Sequence, residues 1–258
     1  MSLLESQVNA YQTDGYLSGL RVVTEVEAVG IRQQFDALEE REGREQTRIG
    51  LVDRHFEEQF IWTLATHPPL LEVVESLLGP NLLLLATHFF CKYGQEERFV
   101  AWHQDVTYWG LEPPLALTAW FAVDDSDREN GCMRVLPGTQ REGIRAHEKA
   151  QVAGNLLSIN QEIPVTAEEE ATAVNLELRA GEISLHDGAL IHGSLPNRSN
   201  RRRCGLTLRY IPTHVRPVAL NSHGKSWNAV LVRGVDTYGH FGTCQSPFST
   251  KERHAVEG

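Results

Sequence analysis

Apolar residues recur with two different periods along this chain, and the change comes near residue 80. Before it the spacing is helical. Glu5 to Thr13 is a short amphipathic run stopped by Asp14-Gly15. Thr24 supplies an N-cap for a longer helix reaching about Glu42, with Val26, Val29, Ile31, Phe35 and Leu38 near helical spacing. His67-Pro68-Pro69 opens a third helix, Leu70 to Leu78, ended by Gly79-Pro80. Beyond that point the runs are short and strand-like: Leu82 to Tyr93, Phe99 to Asp105, Ala116 to Val123, Cys132 to Leu136, Ala171 to Leu178, Glu182 to His186 and Arg203 to Ile211. Turn signals separate them, among them Tyr93-Gly94, Glu129-Asn130-Gly131, Pro137-Gly138, Ala180-Gly181 and Pro196-Asn197. Many short strands with frequent turns predict a β-sandwich or closed barrel. Gln140 to Glu170 reads as a polar insertion. No linker divides the chain, so residues 1–258 are expected to form a single domain. Its parts are a helical region to about residue 80, a β core over about 82–212 and a C-terminal extension over 213–258 without a readable motif.

Composition narrows the partners. The chain has 258 residues, 41% hydrophobic and 22% charged, ordinary for a globular protein and ample for a core. Its formal net charge of −10 argues against a nucleic-acid partner, which would require a basic face. The one basic cluster, Arg198 with Arg201, Arg202 and Arg203, is short and falls in a turn. No apolar run approaches the ~18 residues of a membrane span, and the N-terminus lacks a signal-peptide pattern. Cys91, Cys132, Cys204 and Cys244 are scattered without a CxxC pair, as expected for reduced thiols in a cytoplasmic protein.

The candidate chemistry is a split trio. His103-Gln104-Asp105 sits mid-chain, and His192-Gly193-Ser194 follows far downstream, with Arg203 beyond it. Two imidazoles and one carboxylate are the ligand set of a non-haem Fe(II) site with open positions. Residues two apart on a strand share a face, so His103 and Asp105 are expected to project together, with Gln104 opposite. An arginine fork suits a dicarboxylate co-substrate, and a hairpin returning from His192 would set Arg203 on the neighbouring strand. Alternation then puts Arg203, Gly205 and Thr207 on a polar lining, and Cys204, Leu206 and Leu208 on a packed face. HxD, HGS or an arginine after a turn is each a weak signal alone; their combination in this order carries the reading. His186-Asp187 is a poor two-ligand set because adjacent strand residues face opposite ways, and His186 reads as a wall or hydrogen-bonding residue. Tyr108, Trp109 and Arg209 are the candidate substrate contacts. Two other classes stay open on these residues: a metal-binding jelly-roll protein without oxygenase activity, and a zinc hydrolase on the same ligands.

Trp102-His103-Gln104-Asp105, Leu117-Thr118-Ala119-Trp120, Glu129-Asn130-Gly131-Cys132, Leu136-Pro137-Gly138-Thr139 and His192-Gly193-Ser194 with Asn197, Ser199 and Arg203 resemble the phytanoyl-CoA dioxygenase family. The N-terminal Tyr11-Gln12-Thr13-Asp14-Gly15-Tyr16-Leu17 resembles it too. The resemblance implies a mainly β fold, a double-stranded β-helix (jelly-roll) core with flanking N-terminal α-helices. It implies Fe(II) bound by His103, Asp105 and His192, with 2-oxoglutarate and O2 as co-substrates. It implies 2-oxoglutarate contacts from Arg203, Ser194, Trp120 and Gln104. Related halogenases replace the carboxylate with a small residue; Asp105 is present here, which favours hydroxylation. The expected substrate is a small metabolite, such as an aminoalkylphosphonate or amino-acid derivative, with a hydrophobic natural-product intermediate as the alternative. Desaturation or cyclisation stays open beside hydroxylation.

Overall fold

The computed structural model describes residues 2–149, 153–157, 161–220, 224, 226–242 and 246–248. Its helices are α1 (Glu5–Asp14), α2 (Glu25–Glu42), α3 (Arg44–Ile49), α4 (Gln59–Ala65), α5 (Pro68–Leu78) and the short α6 (Ala167–Ala171). Its strands are β1 (Tyr16–Arg21), β2 (Leu82–Lys92), β3 (Val100–His103), β4 (Leu111–Glu112), β5 (Leu117–Ala122), β6 (Met133–Val135), β7 (Glu148–Lys149), β8 (Gln161–Glu162), β9 (Val174–Leu176), β10 (Glu182–Asp187), β11 (His192–Ser194), β12 (Arg203–Pro212), β13 (Arg216–Pro217) and β14 (Val230–Arg233).

Two antiparallel sheets face each other as a jelly roll. The larger has six strands in the order β1-β10-β5-β12-β2-β14, and the smaller has four, in the order β3-β11-β6-β9. The alternation of side chains along β12 decides what each face does. Cys204, Leu206, Leu208 and Tyr210 join Leu117, Ala119 and Phe121 of β5 in the main core, against Phe35 and Leu38 of α2 and Leu70, Val73 and Val74 of α5. Helices thus cover the outer face of the large sheet. Removing these side chains from water is the main stabilising term, roughly 1.5–3 kcal/mol for each fully buried large one. The opposite face of β12 points into the space between the sheets and carries the polar residues. Gly205 is required there: a Cβ would stand 1.9 Å from Cζ2 of Trp120, whose indole crosses the strand at that point.

The helical reading of the N-terminal part holds at α1, α2 and α5. Thr24 caps α2 through a hydrogen bond from the Glu27 amide, and Glu27 returns the bond to the Thr24 amide. Helices α3 and α4 and strand β1 were absent from the sequence reading. The polar insertion contains α6 and the β7–β8 pair. The C-terminal extension contributes β14, an edge strand on β2. Cys91, Cys132 and Cys204 are buried free thiols; Cys244 lies outside the described residues. No helix among the described residues is long and apolar enough to cross a membrane.

Candidate active site

Two strands of the small sheet present the two histidines. His103 ends β3 and His192 begins β11, and the two are directly paired in register, with ring centroids 4.1 Å apart. Asp105 does not continue β3. The strand stops at His103 and Asp105 opens a turn of 3-10 helix to Tyr108, so it reaches the site by a change of backbone direction rather than by strand alternation. The potential ligand atoms of His103, Asp105 and His192 all lie within 4.8 Å of one another, and all three residues are buried.

The surroundings prepare these groups for a metal. Nδ1 of His103 sits 2.9 Å from the Ala101 carbonyl, and Nδ1 of His192 sits 3.0 Å from the Leu190 carbonyl. A carbonyl can only accept, so each Nδ1 carries the proton and each Nε2 lone pair faces the centre, the usual arrangement for a metal-ligating imidazole. Burial, and the charges of His103 and His186, hold His192 well below the ordinary imidazole value, in the neutral form that ligation needs. For Asp105, burial alone would raise the carboxyl, but Arg209, His103 and His186 outweigh it and keep it well below the usual carboxylate range. Thr118 donates to Oδ2 of Asp105 at 3.1 Å. A neutral histidine pair and one fixed carboxylate on one side of a cavity fit a divalent ion with remaining positions open.

A second cluster gathers around Arg203. Arg203 donates from Nε and Nη2 to the Gly131 carbonyl at 3.1 and 2.8 Å. Gly131 takes a φ of +77°, and a Cβ there would meet the Leu195 carbonyl at 2.4 Å, so glycine is what lets this loop close on the guanidinium. Lys92, only 1% exposed, donates to Oγ of Ser194 at 2.6 Å and to the Leu195 carbonyl. The Arg203 guanidinium also lies 5.3 Å from the Trp120 ring centroid. Burial lowers both cations from their ordinary values, and Arg203's charge lowers Lys92 further. Neither makes an ion pair with a carboxylate among the described residues. Arg203, buried on the cavity wall without a counter-charge, favours an anion there, and Lys92 buttresses the same loops from beside it.

The structure thus brings together His103, Asp105, His192, Ser194, Trp120 and Arg203 around one cavity, with Arg209 and His186 also on its wall. Three expectations change. Arg203 is not on a hairpin with His192: β11 pairs with β3 and β6 in the small sheet, whereas β12 pairs with β2 and β5 in the large one. The chain crosses between sheets after Ser194, and the two groups meet across the gap. Gln104 faces away from the cavity. Its amide donates to the Gly143 and Ala189 carbonyls and accepts from the Arg145 N–H, so it ties a loop to the strand end instead of offering a polar group to a co-substrate. Trp109 is 5% exposed and packs in an apolar cluster with Leu83, Leu85 and Ile211; it supports Arg209, whose guanidinium lies 5.3 Å from the indole centroid. Tyr108 packs its ring 6.0 Å from that of His103, with a buried hydroxyl lacking a hydrogen-bond partner among the described residues. Lys92 was missed in the sequence. Its only local signal is a lysine ending an apolar strand run, and its partners Ser194 and Leu195 lie a hundred residues away in the chain.

A jelly roll holding a two-histidine, one-carboxylate centre beside a buried cation pair has the form of a non-haem iron oxygenase site. The chain belongs to the phytanoyl-CoA dioxygenase family: the family model described as "Phytanoyl-CoA dioxygenase (PhyH)" matches residues 11–205. A solved structure of the same fold, CytC3 with Fe(II) and α-ketoglutarate, superposes with a TM-score of 0.68 at 23% identity, covering 93% of this chain and 92% of that chain. Among curated relatives it is 28% identical over 158 residues to the peroxisomal phytanoyl-CoA dioxygenase of Homo sapiens, covering 60% of this chain and 46% of that protein. It spans less than half the length of the mammalian phytanoyl-CoA dioxygenases it matches. It is 28% identical over 250 residues to L-proline trans-4-hydroxylase of Streptomyces griseoviridis, covering 85% of this chain and 92% of that one. The apo structure of ThoJ, a non-heme monooxygenase, superposes with a TM-score of 0.73 at 30% identity, covering 89% of this chain and 84% of that chain.

Proposed function

We propose that this protein hydroxylates an unactivated C–H bond of a small metabolite, with His103, Asp105 and His192 as the Fe(II) ligands and Arg203, Lys92 and Ser194 as the grip on the far carboxylate of 2-oxoglutarate. One observation carries the reading: potential ligand atoms of His103, Asp105 and His192 lie within 4.8 Å of one another, while Nδ1 of each histidine is hydrogen-bonded to a backbone carbonyl.

When bound, Fe(II) and 2-oxoglutarate supply the oxygen chemistry: O2 is consumed, 2-oxoglutarate leaves as succinate and CO2, and one oxygen atom enters the substrate C–H bond. The protein's own work is placement. Asp105 keeps its negative charge through its cationic neighbours, and Thr118 fixes the orientation of that carboxylate. The arginine fork and the Lys92 ammonium set the depth at which a dicarboxylate stops. Trp120, lying over Gly205, lines the pocket together with the apolar side chains of Phe90, Val100 and Met133. A zinc hydrolase would have no use for a buried arginine on the cavity wall beyond the metal ligands, and a structural metal site would be closed rather than open to a cavity.

The deciding experiment is aerobic incubation of the protein with Fe(II) and 2-oxoglutarate, following succinate. Succinate release that needs both Fe(II) and oxygen supports the reading. Turnover of a hydrolysable substrate under anaerobic conditions without succinate would replace it with the hydrolase. Replacing His103, Asp105 or His192 with alanine should remove metal uptake and succinate release together.

A further inference from the structure

Beside the metal ligands stand two polar side chains that act on Asp105 by charge alone and whose own hydrogen-bonding groups are not filled. Arg209 is 8% exposed, lies on the cavity wall, and its Nε has no hydrogen-bond partner among the described residues. Its contact with Oδ2 of Asp105 is 3.8 Å, an ion pair too long to be a hydrogen bond. Asp53 also feels its charge, but an Asp53 oxygen is already engaged by the Thr87 N–H at 3.0 Å. His186, 1% exposed, lines the same cavity with neither ring nitrogen hydrogen-bonded; its Nε2 stands 3.6 Å from Oδ2 of Asp105. The two side chains come from strands on either side of β5, and both pair in register with Thr118. They therefore flank one spot beside the metal ligands.

Buried donors of this kind are costly to leave unmade, and native structures rarely leave several together without a ligand to complete them. Asp105 cannot be that ligand, because its charge is committed to the metal. Nor can the far carboxylate of 2-oxoglutarate, which belongs at Arg203. Arg203 and Arg209 lie on the same face of β12 but six residues apart, about 20 Å along an extended strand. Trp109 holds the Arg209 guanidinium in place from behind, which limits the freedom lost when a ligand binds.

We propose that Arg209, with His186 beside it, is the anchor for a carboxylate of the primary substrate. The inference rests on the oxygenase reading above and gives that reading a substrate class: a small monocarboxylic metabolite whose reacting carbon lies near its acid group. The planar fork matches a carboxylate in two parallel hydrogen bonds, and one fixed positive charge balances one negative charge. The same cavity must also take 2-oxoglutarate, so the room left beside Arg209 favours a small molecule.

The test uses the full chain loaded anaerobically with Mn(II) in place of Fe(II) and saturated with 2-oxoglutarate. A panel of C3 to C8 amino acids and hydroxy acids, each beside its own primary amide, is titrated by calorimetry, then scored aerobically with Fe(II) for a mass increase of one oxygen. The expected result is that at least one acid binds and gains oxygen while its amide binds at least tenfold more weakly. Arg209→Gln should erase that preference, with a loss of at least tenfold for the acid and less than threefold for 2-oxoglutarate. Arg209→Lys, which keeps the charge and loses the fork, should recover part of the affinity and show that the site is still folded. A wild-type protein for which no acid outcompetes its amide overturns the proposal. So does an Arg209→Gln protein that loses 2-oxoglutarate or Mn(II) as strongly as the acid, because the arginine would then serve Asp105 or the co-substrate. Failure of the wild type to bind Mn(II) and 2-oxoglutarate at all is a different result, and it removes the oxygenase reading itself.

Discussion

At the scale of single residues, the cavity is defined as much by a missing side chain as by those present. Gly205→Ala would drive a methyl into the Trp120 indole, so a loss of about 1–3 kcal/mol is expected in urea unfolding. Displaced Trp120 should also raise the Kd for 2-oxoglutarate. Arg203→Ala leaves a dicarboxylate without its fork, and weakening of 2-oxoglutarate binding by about 2–5 kcal/mol is expected in an anaerobic titration; wild-type affinity in that variant would refute the assignment. The residues that the chain's local pattern revealed were those with chemical rarity: His103, Asp105 and His192 in order, then Arg203. Lys92 escaped because a lysine at a strand end ordinarily reaches solvent. Here the ammonium instead donates to the carbonyls of Gly131 and Leu195, which sit on two separate loops, before β6 and after β11.

At the scale of elements, pattern succeeded where one residue type forces an outcome and failed where partners decide. Helix α2 was legible to the residue because Thr24 and Glu27 close a reciprocal cap and Gly43 follows Glu42. Thr24→Ala should cost about 0.5–2 kcal/mol, read from the denaturant midpoint, with little effect on activity because α2 lies outside the large sheet. Helices α3 and α4 are only six and seven residues long, too short for a periodicity to emerge, and α4 forms because its buried Phe60, Ile61, Leu64 and Ala65 find the core. Strand β1 includes Gly19 at a φ of +75° and a shift in register against β10, features that break the alternation by which strands are recognised. The sheet to which a strand belongs was not readable at all. β11 and β12 follow one another in the chain, yet hydrophobic alternation marks only faces, not neighbours, and the chain changes sheets between them.

At the scale of the molecule, the polar interior makes stability depend on what fills it. Mn(II) with 2-oxoglutarate at about 100-fold excess over the Kd should stabilise the fold by about 2.7 kcal/mol, visible as a raised melting temperature that a chelator reverses. Acid should act in the opposite direction. Burial lowers His55 from 6.5 to about 4, so it stays neutral in the fold while the unfolded chain takes up a proton. Between those values the unfolded state binds more protons, and stability falls as pH drops from about 6.5 to 4, by up to about 3 kcal/mol. Denaturant midpoints taken across that window should show the slope, and His55→Asn should flatten part of it. A sandwich or barrel preceded by helices was evident from the chain because it follows from many residues at once, and the jelly roll came with the family resemblance. The closure of the cavity was not, since it depends on two sheets meeting at a set separation. A longer-range consequence follows from β12 carrying both guanidinium groups on one face. A strand is a graduated rule with marks about 6.6 Å apart for residues on the same side. Exchanging Arg209 with Thr207 would slide the acid-gripping mark one division toward Arg203, moving the point of oxidation along a guest molecule while the oxidising centre stays put.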